Sequence, residues 1–181
     1  MRVLTLGAGA IGGYFGGRLA ESGADVTFLV RDSRKRDLFA NGLRLVSPFG
    51  NYSAQVAAIT SSEIDRPADV ILLACKAYDL ASAIEAIQPA VGPDTAILPF
   101  LNGVAHMATL NAAFGPQRVL GGLAKIALTL TPEGVIRHLN DWRYVTFGEQ
   151  DGAISDRIQA LKAAFDRTSI VASVVSDIMR A

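Results

Sequence analysis

The segment Arg2-Val3-Leu4-Thr5-Leu6-Gly7-Ala8-Gly9-Ala10-Ile11-Gly12-Gly13-Tyr14-Phe15-Gly16-Gly17-Arg18-Leu19-Ala20 decides the fold. Its first five residues are mostly apolar, partly β-branched, and end at a glycine, as a buried parallel strand does. Residues 10 to 22 then carry Ile11, Phe15, Leu19 and Ala20 at helical spacing, and Gly23 stands where a helix C-terminal glycine belongs. Between strand and helix lies G-x-G-x-x-G. The pattern gains its meaning from context: a strand before it, a helix after it, and a second strand, 25–30, at the distance a dinucleotide-binding unit requires. Gly7 permits the tight turn, Gly9 lets backbone approach a pyrophosphate, and Gly12 lets the helix pack close to the sheet. The helix N-terminus presents free N–H groups and a partial positive charge to phosphate. Gly7, Ala8, Gly9, Ala10, Ile11 and Gly12 are therefore the expected cofactor loop, and Gly16 extends the small face by one turn.

Outward from this unit the alternation continues. Ser33 N-caps a predicted helix through Ala40, which Asn41-Gly42 stops. Residues 43–46 and 52–57 read as a hairpin around Ser47-Pro48-Phe49-Gly50-Asn51. Strands are expected at 69–74 and 95–98, with helices at 79–87 (Leu80, Ile84 and Ile87 on one face) and 104–114. Past Gly115-Pro116, residues 121–130, 134–139 and 143–148 read as strands without intervening helices, which points to antiparallel pairing. A helix at 154–166, with Ile158, Leu161 and Phe165 inward, and a strand at 170–174 follow. The fold class is α/β: a Rossmann-type, doubly wound, mostly parallel sheet with additional antiparallel strands toward the C-terminus. No repeat or linker divides it.

Composition narrows the partners. In 181 residues, 17 Lys plus Arg balance 17 Asp plus Glu. Zero net charge offers neither the basic excess of a nucleic-acid surface nor a polybasic membrane anchor. Hydrophobic residues make up 50% and charged ones 19%, so the chain can bury a large core and is not disordered. Its one cysteine, Cys75, forms no intrachain disulfide and lies in an apolar run, reading as a small buried hydrophobe. Two histidines and one cysteine do not make a zinc site, and no metal is expected. No stretch approaches the ~18 apolar residues of a membrane span. The N-terminal apolar run, explained by its glycine spacing, is not read as a signal peptide, and the expected compartment is the cytoplasm.

The end of the second strand selects the cofactor. An NAD site places Asp or Glu there for the ribose 2′-hydroxyl. Here the strand ends Leu29-Val30-Arg31, and a guanidinium suits a 2′-phosphate, which favours NADP(H). Asp32, one position on, is the competing NAD reading. Arg34, Lys35 and Arg36 either supplement Arg31 or form a solvated helix face. Lys76 and Asn102 follow the third and fourth long strands, at the edge where open α/β sheets bind ligands; spacing alone weighs each evenly against a surface Lys and a turn Asn-Gly. His106 reads as a helix-surface or packing residue, His138 as structural, and Lys125 as a cation snorkelling from an apolar strand.

Five segments in register, Gly7 to Gly17, Val30-Arg31, Ala74-Cys75-Lys76-Ala77-Tyr78, Leu101-Asn102-Gly103-Val104 and Gly134-Val135-Ile136-Arg137-His138, resemble the N-terminal domain of the ketopantoate reductase (2-dehydropantoate 2-reductase) family. The resemblance covers essentially the whole chain. It implies NADPH-dependent reduction of 2-dehydropantoate to (R)-pantoate, toward pantothenate and coenzyme A. It implies that Arg31 meets the 2′-phosphate, that Lys76 contacts cofactor near the reacting centre, and that Asn102 contacts the nicotinamide ribose and the small-molecule 2-oxo acid substrate. Lys76 and Asn102 thus become supporting catalytic candidates.

Two departures accompany the resemblance. Family members carry a second, all-helical domain with the general-acid lysine, which follows a Ser-x-Asp-Ile-like stretch. Ser176-Asp177-Ile178-Met179-Arg180-Ala181 is similar to that stretch, so residues 1–175 are expected to be the NADP-binding domain and 176–181 the start of the helical one. Arg180 does not match the lysine, and a chain without that lysine is expected to bind cofactor and turn over poorly. Leu101 replaces a Gln often found before Asn-Gly, which leaves room for another NADP-dependent 2-oxo- or 3-hydroxy-acid dehydrogenase; a non-catalytic NADP-binding module is the third reading. The surface a second domain would cover leaves room for a homo-oligomer.

Overall fold

The computed structural model describes residues 1–180; Ala181, the last residue of the Ser176 stretch, lies outside the described residues. In chain order the elements are β1 (Arg2–Leu6), α1 (Ala10–Glu21), β2 (Asp25–Leu29), α2 (Asp32–Asn41), β3 (Leu43–Val46), β4 (Tyr52–Ala54) and β5 (Ala57–Ile59). Then come β6 (Val70–Leu73), α3 (Leu80–Ile87), β7 (Ala96–Pro99), α4 (Ala105–Phe114), β8 (Gly121–Lys125) and β9 (Leu128–Leu130). The chain finishes with β10 (Val135–His138), β11 (Tyr144–Gly148), α5 (Asp156–Asp166) and β12 (Val171–Val174).

The central sheet runs β5-β2-β1-β6-β7 with every pair parallel. From β1 the chain moves first to β2 on one side and later to β6 on the other, so the strand order reverses at β1. This is the switch point at which doubly wound sheets bind ligands. Successive side chains of a strand point to opposite faces. Val70 and Leu72 join a core that includes Phe15, Leu19 and Phe165, whereas Ile71 and Leu73 join one that includes Ile87, Leu110 and Phe114. Burial on both faces explains why the strands read as continuous apolar runs.

Past β7 the pairing shrinks to a single bridge, in which the Ile97 N–H donates to the Arg118 carbonyl at 2.7 Å and the Leu120 N–H to the Ile97 carbonyl at 2.9 Å. It stands just before β8, which belongs to a separate three-stranded sheet, β12-β11-β8. Another sheet, β4-β3-β10-β9, lies across α1. Two glycine doublets let one helix touch both layers. A Cβ on Gly16 would stand 2.8 Å from Thr5 and Phe28 of the central sheet, and one on Gly17 would stand 2.8 Å from Leu43 of the β4-β3-β10-β9 sheet. A Cβ on Gly12 would strike the Gly7 carbonyl, and one on Gly13 would strike Ile136.

Several sequence expectations change. The 121–130 run is two strands in two sheets, β8 and β9, broken at Ile126-Ala127. The 52–57 strand is likewise divided: β4 closes the hairpin with β3, and β5 leaves to pair parallel with β2. Antiparallel pairing beyond Gly115 holds for β8–β11 and β9–β10, but β10–β3 and β11–β12 are parallel. The N-cap of α2 is Arg31, not Ser33, and it caps without a side-chain hydrogen bond. Cys75 is half-buried, past the end of β6. Ile178 folds back against Gly121 and Gly148, and is buried there.

Candidate cofactor site

Register places the site. Leu6 of β1 stands opposite Leu29 of β2 and Leu73 of β6, and Leu73 stands opposite Pro99 of β7. Parallel strands share direction, so Gly7, Val30-Arg31, Ala74–Lys76 and Phe100–Asn102 leave the sheet along one edge. Structure thus brings together the four loops that sequence spacing singled out.

The glycine loop has the geometry its residues demand. Gly7 adopts φ +90°, a region unfavourable to a side chain, and its N–H donates to the Leu29 carbonyl at 2.9 Å. Gly9 is the N-cap of α1 and provides no side-chain cap, so the first-turn N–H groups of Ala10, Ile11 and Gly12 have no capping side chain. A Cβ on Gly9 would meet nothing within 4 Å, which marks the open side of the loop. Gly12 is the opposite case, closed against Gly7 and Ala74.

Arg31 is 82% exposed, and its Nη2 lies 3.5 Å from Asp79 Oδ1. Asp32, the competing residue for a ribose hydroxyl, is the first residue of α2 and exposed. The following cations are not one solvated face. Arg34 turns back onto the Ala8 carbonyl, Lys35 pairs with Glu63 across the sheet edge, and Arg36 is exposed. Lys35 and the Thr60 backbone hold the Glu63 carboxyl at about 2. Lys76 is exposed and N-caps the 3-10 turn Ala77–Asp79. Asn102 is exposed beside Gly103, which adopts φ +75° before α4.

Three other polar groups have structural surroundings. His106 is buried in α4, and burial holds its imidazole below the usual histidine range. His138 bridges layers: Nδ1 lies 3.3 Å from the Tyr14 hydroxyl and 3.0 Å from Ser47 Oγ, and Nε2 lies 2.7 Å from the Trp142 carbonyl. Lys125 is exposed and places its ammonium 4.4 Å from the Trp142 ring centre, a cation–π contact. Among the described residues no group of three His, Cys, Asp or Glu side chains is arranged for a metal, and no helix is long and apolar enough to cross a membrane.

Sequence reasoning missed the Asp79 side chain altogether, and it named Arg34 without its contact to the glycine loop. Asp79 faces Arg31 only because β6 and β2 flank β1, which no local spacing reveals. Arg34 carried a local signal, the i,i+3 pairing with Asp37, but its contact with Ala8 is tertiary.

The family model described as ketopantoate reductase PanE/ApbA matches residues 3–152. The chain belongs to this family. Ketopantoate reductase relatives extend the match. A 2-dehydropantoate 2-reductase of Mesorhizobium japonicum is 32% identical, over 98% of this chain and 61% of its own. An uncharacterized oxidoreductase of Bacillus subtilis is 44% identical, over 91% of this chain and 54% of its own. The crystal structure of 2-dehydropantoate 2-reductase from Geobacter metallireducens superposes with a TM-score of 0.90 at 30% identity, over 99% of this chain and 60% of that one. The chain therefore spans little more than half the length of the relatives it matches.

Proposed function

We propose that the chain binds NADP(H) along this edge and forms the cofactor-binding part of an enzyme reducing 2-dehydropantoate to (R)-pantoate. The observation that carries the reading is Arg31, an exposed guanidinium two residues past β2, on the same edge as a glycine loop whose Gly9 face is open. The residues present fit the nucleotide: uncapped N–H groups at the α1 N-terminus for the pyrophosphate, and a cation where a 2′-phosphate would lie. When bound, NADPH supplies a hydride. Asn102 offers an amide to hold a ribose hydroxyl and the substrate. The Lys76 ammonium favours the negative charge that develops on the ketone oxygen. In this reading the 181 residues bind cofactor but do not complete the reaction, since the matched relatives are far longer.

Titrating the chain with NADPH and NADH tests the cofactor assignment. NADPH is expected to bind more tightly, and Arg31→Ala to abolish the preference. Equal affinities in the wild type, unchanged by the substitution, would sink it. Rapid NADPH-dependent reduction of 2-dehydropantoate by these 181 residues alone would overturn the division of labour.

Leu101 favours a second reading. It is buried in the core beside α3 and α4, in place of a Gln often found before Asn-Gly in the family. A different 2-oxo or 3-hydroxy acid is then the substrate. Binding of a panel of 2-oxo and 3-oxo acids to the NADPH-loaded protein separates the two, because only the first reading ranks 2-dehydropantoate ahead.

A further inference from the structure

Arg34 leaves α2 and turns back onto the glycine loop, where its Nε and Nη2 donate to the Ala8 carbonyl at 3.2 and 2.8 Å. Ala8 is 2% exposed, and its carbonyl lies outside the α1 ladder, which begins with the Gly13 N–H donating to Gly9 at 2.8 Å. A buried carbonyl needs a donor, and the planar guanidinium supplies two in one fork. The fork is itself held by its own helix: Arg34 Nη1 pairs with Asp37, which accepts from Asn41 Nδ2 at 2.8 Å. A Cβ on Gly134, in the turn before β10, would lie 3.0 Å from Arg34 Nη1 and 3.2 Å from Asp37 Oδ2. The Arg34 side chain is only 18% exposed.

We propose that Arg34 is a positioning residue that fixes the Ala8–Gly9 peptide, so that the loop N–H groups face the pyrophosphate of a bound dinucleotide. The inference rests on the dinucleotide reading above. A trans peptide is planar, so a carbonyl pinned toward Arg34 turns the Gly9 N–H the opposite way. A side chain at Gly9 would find no neighbour within 4 Å, so no packing on that side shares the task. Arg31 and Arg34 then divide the work, with Arg31 available to the 2′-phosphate and Arg34 committed to the loop.

Calorimetric titration of the 181-residue chain with NADPH, NADH, ADP-ribose and 2′-AMP tests the proposal. Arg34→Gln is expected to weaken NADPH, NADH and ADP-ribose alike by about tenfold, the order of one charge-assisted hydrogen bond, and to leave 2′-AMP unchanged. Arg34→Lys, which restores one donor, is expected to recover part of the loss. A loss confined to NADPH and 2′-AMP would overturn it, because Arg34 would then be a phosphate ligand; unchanged affinities would overturn it too. A wild-type chain that binds none of the four defeats the dinucleotide reading itself, which is a distinguishable failure. Should Arg34→Gln not fold, Asp37→Asn carries the test. It releases Arg34 Nη1 and is expected to give a smaller loss for the same three ligands, and equal affinities there overturn the proposal.

Discussion

Arg31 Nη2 and Asp79 Oδ1 face each other at 3.5 Å across the end of β1, the cation from the loop after β2 and the carboxylate from the turn after β6. Their side chains are 82% and 38% exposed, so the pair contributes little to stability, on the order of 0–1 kcal/mol. Its consequence is for binding. A carboxylate beside the cation that would meet a 2′-phosphate competes for it and repels the phosphate. Asp79→Asn is expected to tighten NADPH by about two- to fivefold at low salt, an effect the size of an exposed ion pair, and to leave NADH nearly unchanged. Titration at two salt concentrations checks this; weaker NADPH binding by the variant would show that Asp79 orients Arg31 rather than opposing the nucleotide.

Gly9 and Gly12 separate binding from folding. Gly9 has φ −79°, which any residue adopts, and a Cβ there meets nothing within 4 Å. Gly9→Ala is therefore expected to leave the thermal midpoint nearly unchanged while lowering nucleotide affinity, because the methyl occupies the space the pyrophosphate needs. Gly12→Ala drives its methyl into the Gly7 carbonyl and is expected to cost about 1–3 kcal/mol of stability, the usual scale of overpacking. Thermal melts and NADPH titrations of both variants check the split. A Gly9→Ala protein that binds normally would move the phosphate away from this loop.

The parts of this molecule legible in sequence are those fixed by local physics. Gly7, with its positive φ, and the apolar runs ending at Leu6, Leu29 and Leu73 announce a strand, a turn and a shared edge, and the edge is where they lie. What was illegible depends on distant neighbours. Residues 121–130 look continuous because apolar residues run on through Ile126-Ala127, yet Gly122 packs on Leu98 while Leu128 pairs with His138 of another sheet. Ala57–Ile59 is too short to announce a change of sheet; only pairing with Thr27–Leu29 defines it. Arg34 and Lys35 are adjacent cations on one helix, and their different partners, Ala8 and Glu63, come from different strand ends.

His106 gives stability a pH dependence of known sign. Burial depresses its pKa in the folded state, whereas the unfolded chain titrates near the ordinary histidine value of about 6.5. Below that value the unfolded chain binds more protons than the folded one, so stability falls as pH falls. Asp37, Glu63 and Glu133, whose carboxyls are held low by their hydrogen bonds, lose their contributions only at more acidic pH, below the ordinary carboxylate range near ~4. Between pH 7 and 5, denaturant unfolding of His106→Gln should show a flatter stability curve than the wild type. Parallel curves would assign the acid sensitivity elsewhere.

Cys75 reports on the edge itself. It lies between Ala74, whose Cβ faces Gly12, and Lys76, and it is half-buried against the core beneath α3. Burial raises its thiol pKa, and the nearby Asp79 carboxylate adds to the rise. The thiolate is the reactive form, so at pH 7.5 iodoacetamide should alkylate Cys75 more slowly than a free thiol. The rate should still climb beyond the pH at which a free thiol has levelled off. Saturating NADPH should slow it further, because a nucleotide seated between the glycine loop and Lys76 covers the approach to the sulfur. Mass spectrometry of the single cysteine reads both effects. Alkylation at the free-thiol rate would contradict the burial, and a rate indifferent to NADPH would place the nucleotide away from the β6 edge.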